Sequence, residues 1–404
     1  MANCRVACKR VVLPGGRLVD GECCVEVTDG TITSISKDLE SGGPDGSPLH
    51  KADLVVPGFV DIHNHGIGGS NDILENWANP DYTLSRLPSW GITSCLASVV
   101  FSKPHLVSDK VISSLTHSFG DTRHGAVLEG IHAEGPVIND WGALPQISTD
   151  ISLSNFENLL SSLPNLKIMT ISPHLESKRH YERLEALLRR NVVPALGHDK
   201  VASETEILGA LRLAQSHGKR LHVTHCFNVS TFHHRNPGLV NFGLTSEFPR
   251  FEKYENLKPP TIELVGDLSH VHPLTLTTAV RARQASDIAF VTDAVQEPLP
   301  GQKVMYNGRR LEVSSDATRV VLSGTDTLAG SCSSLLQTFY FLVNNLGVSI
   351  GSAVQMLAET PARIAGIAGI GELSVGKRGD LLCFDADLRL MSTIVAGRVA
   401  YACS

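Results

Sequence analysis

The chain has 404 residues, 42% hydrophobic and 19% charged, which favours one large globular domain plus a smaller one and argues against disorder. Its net charge of −6 provides no basic surface for nucleic acid. No apolar run approaches the ~18 residues that span a bilayer, and Met1–Arg10 lacks the apolar core of a signal peptide. We therefore expect a cytoplasmic protein that binds neither nucleic acid nor membranes.

The nine cysteines are scattered, odd in number and without a CxxC pair. In a chain of this size without a secretion signal, a disulfide framework is not expected. We predict that most are small buried apolar residues in a reducing compartment, Cys226 included.

Both ends of the chain have the pattern of short antiparallel strands separated by turn residues. The N-terminal strands are predicted at Arg5–Ala7, Arg10–Leu13, Cys24–Val27 and Thr31–Ile35, followed by a Gly/Pro/Ser/Asp loop from Gly42 to Pro48. From Gly376 onward the pattern returns, with a predicted strand at Leu381–Phe384. We predict that residues 1–56 and 366–404 pair into one small β-sandwich domain.

The middle of the chain, residues 57–365, alternates apolar strand runs with helical stretches such as Tyr181–Arg190, Glu204–His217 and Pro273–Ala285. The predicted strands are Phe59–His63, Thr93–Phe101, Ala126–Glu134, Lys167–Ser172, Val192–Leu196, Leu221–His225, Thr261–Val265 and Ile288–Thr292. Eight strands alternating with helices predict an α/β fold, the (β/α)8 TIM-type barrel. The alternative is a doubly wound open sheet, a fold that has a Gly-rich first turn. The segment Gly66-Ile67-Gly68-Gly69 only weakly resembles such a turn.

Several of these strands end in a histidine or a carboxylate, and a parallel barrel gathers its strand ends at one mouth. Glu134 ends the third strand, just before Gly135-Pro136, and His198 and His225 end the fifth and sixth. A single strand-end histidine or glutamate is often structural, but three that converge favour a ligand set. Imidazole and carboxylate ligands suit zinc or a similar divalent ion with an open position for water.

The first and eighth strands add further candidates. His63 and His65 are two residues apart on a strand, so both can point into the same mouth and hold a metal ion. Asp293 ends the eighth strand and is either a helix N-cap or the group that moves protons between a metal-bound water and a leaving amine. His222 is offset from His225 by an odd spacing, and we predict that it is structural.

The segment Pro57–Gly66 resembles the first-strand motif of the amidohydrolase superfamily. Further segments resemble one branch of it, the N-acetylglucosamine-6-phosphate deacetylases, in order over nearly the whole chain: His132–Pro136, Leu196–His198, Thr224–Asn228, His233–Gly238, Gly266–His270, Val291–Ala294, Leu328–Ser331 and Thr360–Arg363. The resemblance implies a metal-dependent hydrolase of amino sugar catabolism. It would remove the acetyl group from N-acetylglucosamine 6-phosphate, giving glucosamine 6-phosphate and acetate.

The resemblance also implies roles for individual residues. Glu134, His198 and His225 would bind the metal, Asp293 would be the general base and acid, and His270 would donate to the acetamide carbonyl. The implied substrate-binding residues are Ala143, Asn228, Val229, His234, Arg235, Leu328, Ala329 and Gly330. Arg235, with His234, would hold the sugar phosphate from the second subunit of a homodimer. From the residues alone, Arg235 would be a solvated surface arginine.

Four positions depart from the family pattern or divide it. Some members carry Gln-x-Asn where His63 and His65 stand and hold one metal, whereas His-x-His members can hold two, so one or two zinc ions per subunit are expected. Leu144 stands where the family usually has a histidine that touches the sugar, and Val229 replaces the usual alanine. The preferred N-acetyl sugar phosphate is therefore left open.

Two other functions stay open from the sequence. One is hydrolysis of a different amide or cyclic amide, as in dihydroorotase-like relatives, although these often use a carbamylated lysine and no lysine ends the fourth strand here. The other is a catalytically inactive sugar-phosphate-binding regulator, against which the complete ligand set and Asp293 argue.

Overall fold

The computed structural model describes residues 3–37, 49–102 and 105–403. The strands in these residues are β1 (Cys4–Leu13), β2 (Arg17–Thr28), β3 (Thr31–Ser36), β4 (Leu49–Pro57), β5 (Phe59–Asn64), β6 (Ile92–Val100), β7 (Val127–Glu134), β8 (Leu166–Ile171), β9 (Val193–Leu196), β10 (His222–Val223), β11 (Thr261–Val265), β12 (Ile288–Val291), β13 (Lys303–Tyr306), β14 (Arg309–Val313), β15 (Arg319–Leu322), β16 (Leu328–Ser331), β17 (Leu381–Phe384), β18 (Leu390–Val395) and β19 (Arg398–Ala402).

The α-helices are α1 (Pro80–Leu84), α2 (Asp109–Ser118), α3 (Leu153–Ser162), α4 (Pro173–Ser177), α5 (Glu182–Arg189), α6 (Glu204–Ser216), α7 (Leu239–Leu244), α8 (Pro273–Ala282), α9 (Leu335–Tyr340), α10 (Ile350–Val354) and α11 (Thr360–Ile364). Short π-helical turns follow α9 and α10. No helix among the described residues is both long and apolar enough to cross a membrane.

Strands β5 to β12 form the predicted parallel barrel. Each strand pairs with the next one in the chain, and the described residues give a sheet of eight strands in consecutive order. The barrel closes at its mouth, where the Asp293 N–H donates to the His63 carbonyl (2.9 Å) and the His65 N–H to the Ala294 carbonyl (2.8 Å). Strands such as β5, β11 and β12 are buried throughout, which explains their near-continuous apolar runs. The TIM-type fold is confirmed.

The predicted barrel strands agree with the structure to within one residue at each end, except for the sixth. That strand was predicted to run to His225, but β10 ends at Val223. The backbone of His225 has a positive φ of 25°, so the chain leaves the sheet before the histidine is reached.

Both ends of the chain combine into one separate unit, as predicted; it is a single sheet of seven strands in which β1 and β4 pair in parallel, whereas antiparallel strands of a β-sandwich were expected. Its strand order is β19-β18-β17-β4-β1-β2-β3, so β4 joins the N-terminal strands to the C-terminal ones. The two predicted strands at Arg5–Ala7 and Arg10–Leu13 are one strand, β1, whose register skips at Lys9. The predicted loop at Gly42–Pro48 lies outside the described residues, and the exact domain boundaries remain a prediction. The cysteines are free, and all except Cys403 are buried.

A four-stranded antiparallel sheet, β13 to β16, was not predicted from the sequence. It lies between the eighth barrel strand and α9. Asn307 and Gly308, at φ 48° and 81°, form the turn between β13 and β14, as expected of a type I′ hairpin. Strand β16 is bonded to the end of β12, because the Ser331 N–H donates to the Asp293 carbonyl (2.9 Å). The insertion is thereby attached to the barrel mouth.

A buried carboxylate holds the contact between β5 and β12 together. Asp61 is fully buried, and its Oδ2 accepts hydrogen bonds from Thr292 Oγ1 (2.6 Å) and Asn64 Nδ2 (2.9 Å). Its Oδ1 accepts from the backbone N–H groups of Thr292 (3.2 Å) and His63 (3.3 Å). Four donors from two strands therefore depend on one side chain.

We predict that Asp61→Ala lowers the free energy of unfolding by about 3 kcal/mol, because it leaves several buried donors without an acceptor. Thermal and chemical denaturation would measure the loss. Asp53→Ala is the matched control: Asp53 pairs with the exposed Lys9 side chain, and its removal should cost less than about 1 kcal/mol. Equal effects of the two substitutions would contradict the role given to Asp61.

Candidate metal centre and substrate cavity

Three buried side chains from different strands converge at the mouth of the barrel. Glu134 is the last residue of β7, and His198 and His225 each follow the end of a strand by two residues. Glu134 Oε1 lies 2.7 Å from His198 Nε2 and 3.0 Å from His225 Nε2, and the two ring nitrogens are 3.1 Å apart. Three ligand-type atoms at this spacing form a group that could hold one metal ion.

The backbone at these strand ends turns in an unusual way. His198, His225 and Asp293 have positive φ angles of 50°, 25° and 49°. Such angles are uncommon for residues other than glycine, and they cluster at functional sites, where the surrounding structure holds the strain. Each turn comes directly after a barrel strand, at the residue that contributes its side chain to the mouth.

His63 and His65 form a second group beside the first. Their Nε2 atoms are 3.3 Å apart, and His65 Nε2 lies 3.3 Å from Glu134 Oε2 and 3.4 Å from Asp293 Oδ1. Glu134 thus faces both groups, one with each carboxylate oxygen. Its Oε2 is buried and accepts no hydrogen bond, so a ligand site remains open at this atom.

The electrostatics of the mouth favour a bound cation. Three buried carboxylates, Glu134, Glu263 and Asp293, have only histidines as charged partners, and within the described chain no lysine or arginine pairs with them. Burial alone would raise the pKa values of these carboxyls. The neighbouring histidines outweigh burial and lower the pKa of Glu134 far below its usual value, and that of Asp293 to about 2. Ionised carboxylates among imidazoles imply a divalent metal.

Glu263 lies behind the ligands and was missed in the sequence analysis. Its Oε1 is 2.6 Å from His63 Nδ1 and accepts a hydrogen bond from the His225 N–H (3.0 Å), while Oε2 is 3.1 Å from His222 Nε2. Burial by itself would lower the pKa of His63, but the charge of Glu263 outweighs burial and raises that pKa to about 10. The available signal was a glutamate inside the apolar strand β11. His222 faces this carboxylate and not the mouth, in line with a structural role.

His132, in the same strand as Glu134, does not join the ligands at the mouth. Its ring nitrogens are 2.8 Å from the Ile62 carbonyl and 3.0 Å from Thr170 Oγ1. Burial, and after it the charge of His63, lowers the pKa of His132 to about 3. The ring is therefore neutral and part of the barrel interior.

His270 stands opposite the metal ligands in the loop after β11. Its Nδ1 is 2.7 Å from Asp267 Oδ2, and its Nε2 is 3.9 Å from Asp293 Oδ2. Burial opposes protonation, but the hydrogen bond and charge of Asp267 raise the pKa of His270. The protonated ring can bond Asp267 through Nδ1 and still donate through Nε2.

The ligands open onto a cavity of about 400 Å³. The candidate residues from the sequence that line it are His65, Glu134, His198, His270, Asp293, Ala143, Asn228, Val229, Leu328, Ala329 and Gly330. Leu144 lines it too, together with Lys200 and Tyr306, which the sequence analysis did not single out. His234 and Arg235 are exposed on this chain and do not line the cavity. A larger hollow of about 760 Å³ at Ser246–Pro259 shares no lining residue with it.

Known proteins resemble this chain in sequence and fold. It is 27% identical to the N-acetylglucosamine-6-phosphate deacetylase of Bacillus subtilis (strain 168) over 389 residues, covering 93% of this chain and 92% of that protein. It is 26% identical to the N-acetylgalactosamine-6-phosphate deacetylase of Escherichia coli O157:H7, covering 97% of this chain and 98% of that protein. No protein-family model matches.

The fold is similar to that of a mutant N-acetyl-D-glucosamine-6-phosphate deacetylase from Mycobacterium smegmatis, solved in complex with N-acetyl-D-glucosamine-6-phosphate. The TM-score is 0.80 at 22% sequence identity, and the alignment covers 100% of both chains. The barrel and the buried histidines and carboxylates at its mouth agree with the resemblance to the amidohydrolase superfamily. More narrowly, the chain is a homologue of the N-acetylglucosamine-6-phosphate deacetylases, which belong to the amidohydrolase superfamily.

We predict that Glu134→Gln reduces the affinity for a divalent metal at least tenfold, because Glu134 faces both ligand groups. Metal content after dialysis and the rise in melting temperature on adding zinc would measure this. Glu252→Gln, which changes an exposed glutamate in the same way, should leave both unchanged. Wild-type metal content in the Glu134 variant would show that the metal binds elsewhere.

Proposed function

We propose that this protein is a metal-dependent hydrolase that deacetylates N-acetylglucosamine 6-phosphate in amino sugar catabolism. The products would be glucosamine 6-phosphate and acetate. The observation that carries the proposal is the convergence of Glu134, His198 and His225 at the barrel mouth, where Glu134, His198 and Asp293 line one cavity. Homology to deacetylases of two N-acetylated sugar phosphates supports the substrate class. A cytoplasmic location completes the proposal.

Glu134, His198 and His225 would hold one zinc ion, and His63 and His65, with the second oxygen of Glu134, a further one. The donor set fits, since it combines four imidazoles with a carboxylate oxygen that lacks a hydrogen-bond partner. A zinc ion held there would polarise the acetamide carbonyl and lower the pKa of a bound water towards ~7. The other steps belong to side chains of the protein.

Asp293 would take a proton from the attacking water and pass it to the leaving amine. It is ionised, it lies 3.4 Å from His65 Nε2, and its backbone N–H is fixed to the His63 carbonyl. His270 would donate its Nε2–H to the carbonyl oxygen as negative charge develops on it. The bond to Asp267 supports this role because it fixes the ring and, by raising the pKa of His270, favours its protonated form.

The substrate would occupy the cavity between the loops at Ala143, Asn228-Val229 and Leu328–Gly330. Lys200 is the one lysine or arginine among the lining residues that the structure describes, and its side chain is exposed at the cavity. A positive charge there suits an anionic substrate. Leu144 lines the cavity where the family has a sugar-contacting histidine, so the choice between sugars differing at one hydroxyl is set by other groups.

The phosphate would be bound by Arg235 and His234 of a second subunit. Both side chains are exposed on this chain, as residues that reach into a neighbouring subunit would be. Arginine matches a phosphate with two parallel hydrogen bonds. In a two-fold dimer each subunit would supply the arginine for the other cavity.

Acetate release from a panel of compounds tests the function. The panel contains N-acetylglucosamine 6-phosphate, N-acetylgalactosamine 6-phosphate, the sugars without phosphate, and a cyclic amide. We expect turnover of at least one sugar phosphate, loss of activity on chelation and its return with zinc. Asp293→Asn should lower kcat by at least a hundredfold while metal and substrate still bind. Activity confined to unphosphorylated amides, or none after metal loading, would overturn the proposal.

A mixed dimer tests the phosphate contact. Arg235→Ala should raise KM about tenfold or more, because a charged hydrogen-bond donor to the phosphate is lost. A purified heterodimer of Arg235→Ala and Asp293→Asn subunits contains one complete site if Arg235 acts on its neighbour. It should therefore show about half the wild-type activity, while each variant alone stays impaired. A heterodimer that gains no activity would place the arginine in its own subunit or outside the site.

A further inference from the structure

One polar group in the cavity has no role in the proposed chemistry. Tyr306 ends β13 in the unpredicted insertion and lines the cavity, yet only 2% of the residue is exposed. Its hydroxyl is buried and has no hydrogen-bond partner. Among the described residues that line the cavity, only Glu134 and Tyr306 leave a buried side-chain polar atom unpaired in this way.

An unpaired buried hydroxyl lowers stability unless a ligand satisfies it. The rest of Tyr306 packs in an apolar cluster with Leu144, Val295 and residues of the insertion such as Ala329, and that cluster explains the ring but not the hydroxyl. Tyr306 lines the same cavity as Glu134 and Asp293, at the reacting end proposed above. Burial, and after it the charges of these two carboxylates, raises the pKa of Tyr306, which keeps it a neutral donor.

The hairpin that carries Tyr306 is attached to the loop that carries Leu144. The side chain of Arg309, which pairs with Tyr306 across the β13–β14 turn, donates through Nη2 to the carbonyls of Ala143 and Leu144, the latter at 3.1 Å. The two positions are therefore parts of one wall. Leu144 offers no polar group to the sugar, whereas Tyr306 offers a hydroxyl that nothing in the protein uses.

We propose that the Tyr306 hydroxyl is a substrate-binding group that hydrogen-bonds a hydroxyl of the sugar ring and thereby contributes to the choice of sugar. The proposal rests on the function above and adds a specificity residue to it. The insertion then does more than cover the mouth, since it supplies the polar contact that position 144 lacks. A hydroxyl–hydroxyl contact made before and during reaction affects KM more than kcat.

Tyr306→Phe removes only the hydroxyl and is the central test. We expect kcat/KM for the sugar phosphate to fall about tenfold, mainly through KM, with metal content unchanged. The melting temperature without substrate should stay the same or rise, because an unsatisfied buried group is removed. If the hydroxyl had only a structural role, Tyr306→Phe would lower the melting temperature and leave kcat/KM unchanged.

Tyr181→Phe is the matched control, because the Tyr181 hydroxyl donates to the Glu206 carbonyl (3.0 Å) outside the cavity. It should lower the melting temperature and leave kcat/KM unchanged. The 1-, 3- and 4-deoxy analogues of the substrate locate the partner of Tyr306. One of them should lose about tenfold in kcat/KM with the wild type and nothing further with Tyr306→Phe.

The outcomes separate the two proposals. If the wild type deacetylates the sugar phosphate and Tyr306→Phe keeps the same kcat/KM, the role of Tyr306 is wrong while the function stands. The role of Tyr306 is also wrong if the reductions in kcat/KM caused by Tyr306→Phe and by each deoxy analogue are simply additive. A wild type without activity on any sugar phosphate overturns both.

Discussion

The cost of burying negative charge is the constraint on which the rest of this structure depends. Glu134, Glu263 and Asp293 are almost fully enclosed at the barrel mouth, and among the described residues their charged partners are all histidines. Isolated carboxylates in such a place would be strongly destabilising. The histidines reduce that cost, and a divalent cation coordinated by the same groups would reduce it further. The convergence therefore favours a bound divalent metal.

The fold holds these carboxylates and their histidine partners together at the barrel mouth. Parallel strands bring distant residues to one edge, and left-handed turns at His198, His225 and Asp293 place their side chains at that edge. Asp61 ties the first strand to the eighth directly behind the ligands, and Glu263 links His63 to the backbone of His225. The β13–β16 insertion is bonded to the Asp293 backbone, so one wall of the cavity is anchored to the residue proposed as the base.

The barrel and the positions of the histidines and carboxylates at its mouth could be predicted because each depends on a local pattern. Buried parallel strands are apolar along their whole length, and a polar residue at a strand end interrupts that run. Glu263 was missed because it lies inside a strand, where its partners come from strands distant in sequence. Strands β13 to β16 are short and partly exposed, so their pattern is weak apart from the Asn307-Gly308 turn. Tyr306 looks like any core aromatic until the structure shows that it lines the cavity and that its hydroxyl is unpaired.

The position of Arg235 could not be tested within one chain, because the contact proposed for it belongs to a pair of subunits. The centre proposed at Glu134, His198 and His225 can be tested directly, by anomalous X-ray diffraction at the zinc absorption edge from zinc-loaded crystals. The account predicts a strong anomalous peak within coordination distance of His198 Nε2, His225 Nε2 and Glu134 Oε1. Zinc peaks found only at other positions in fully loaded crystals would contradict it.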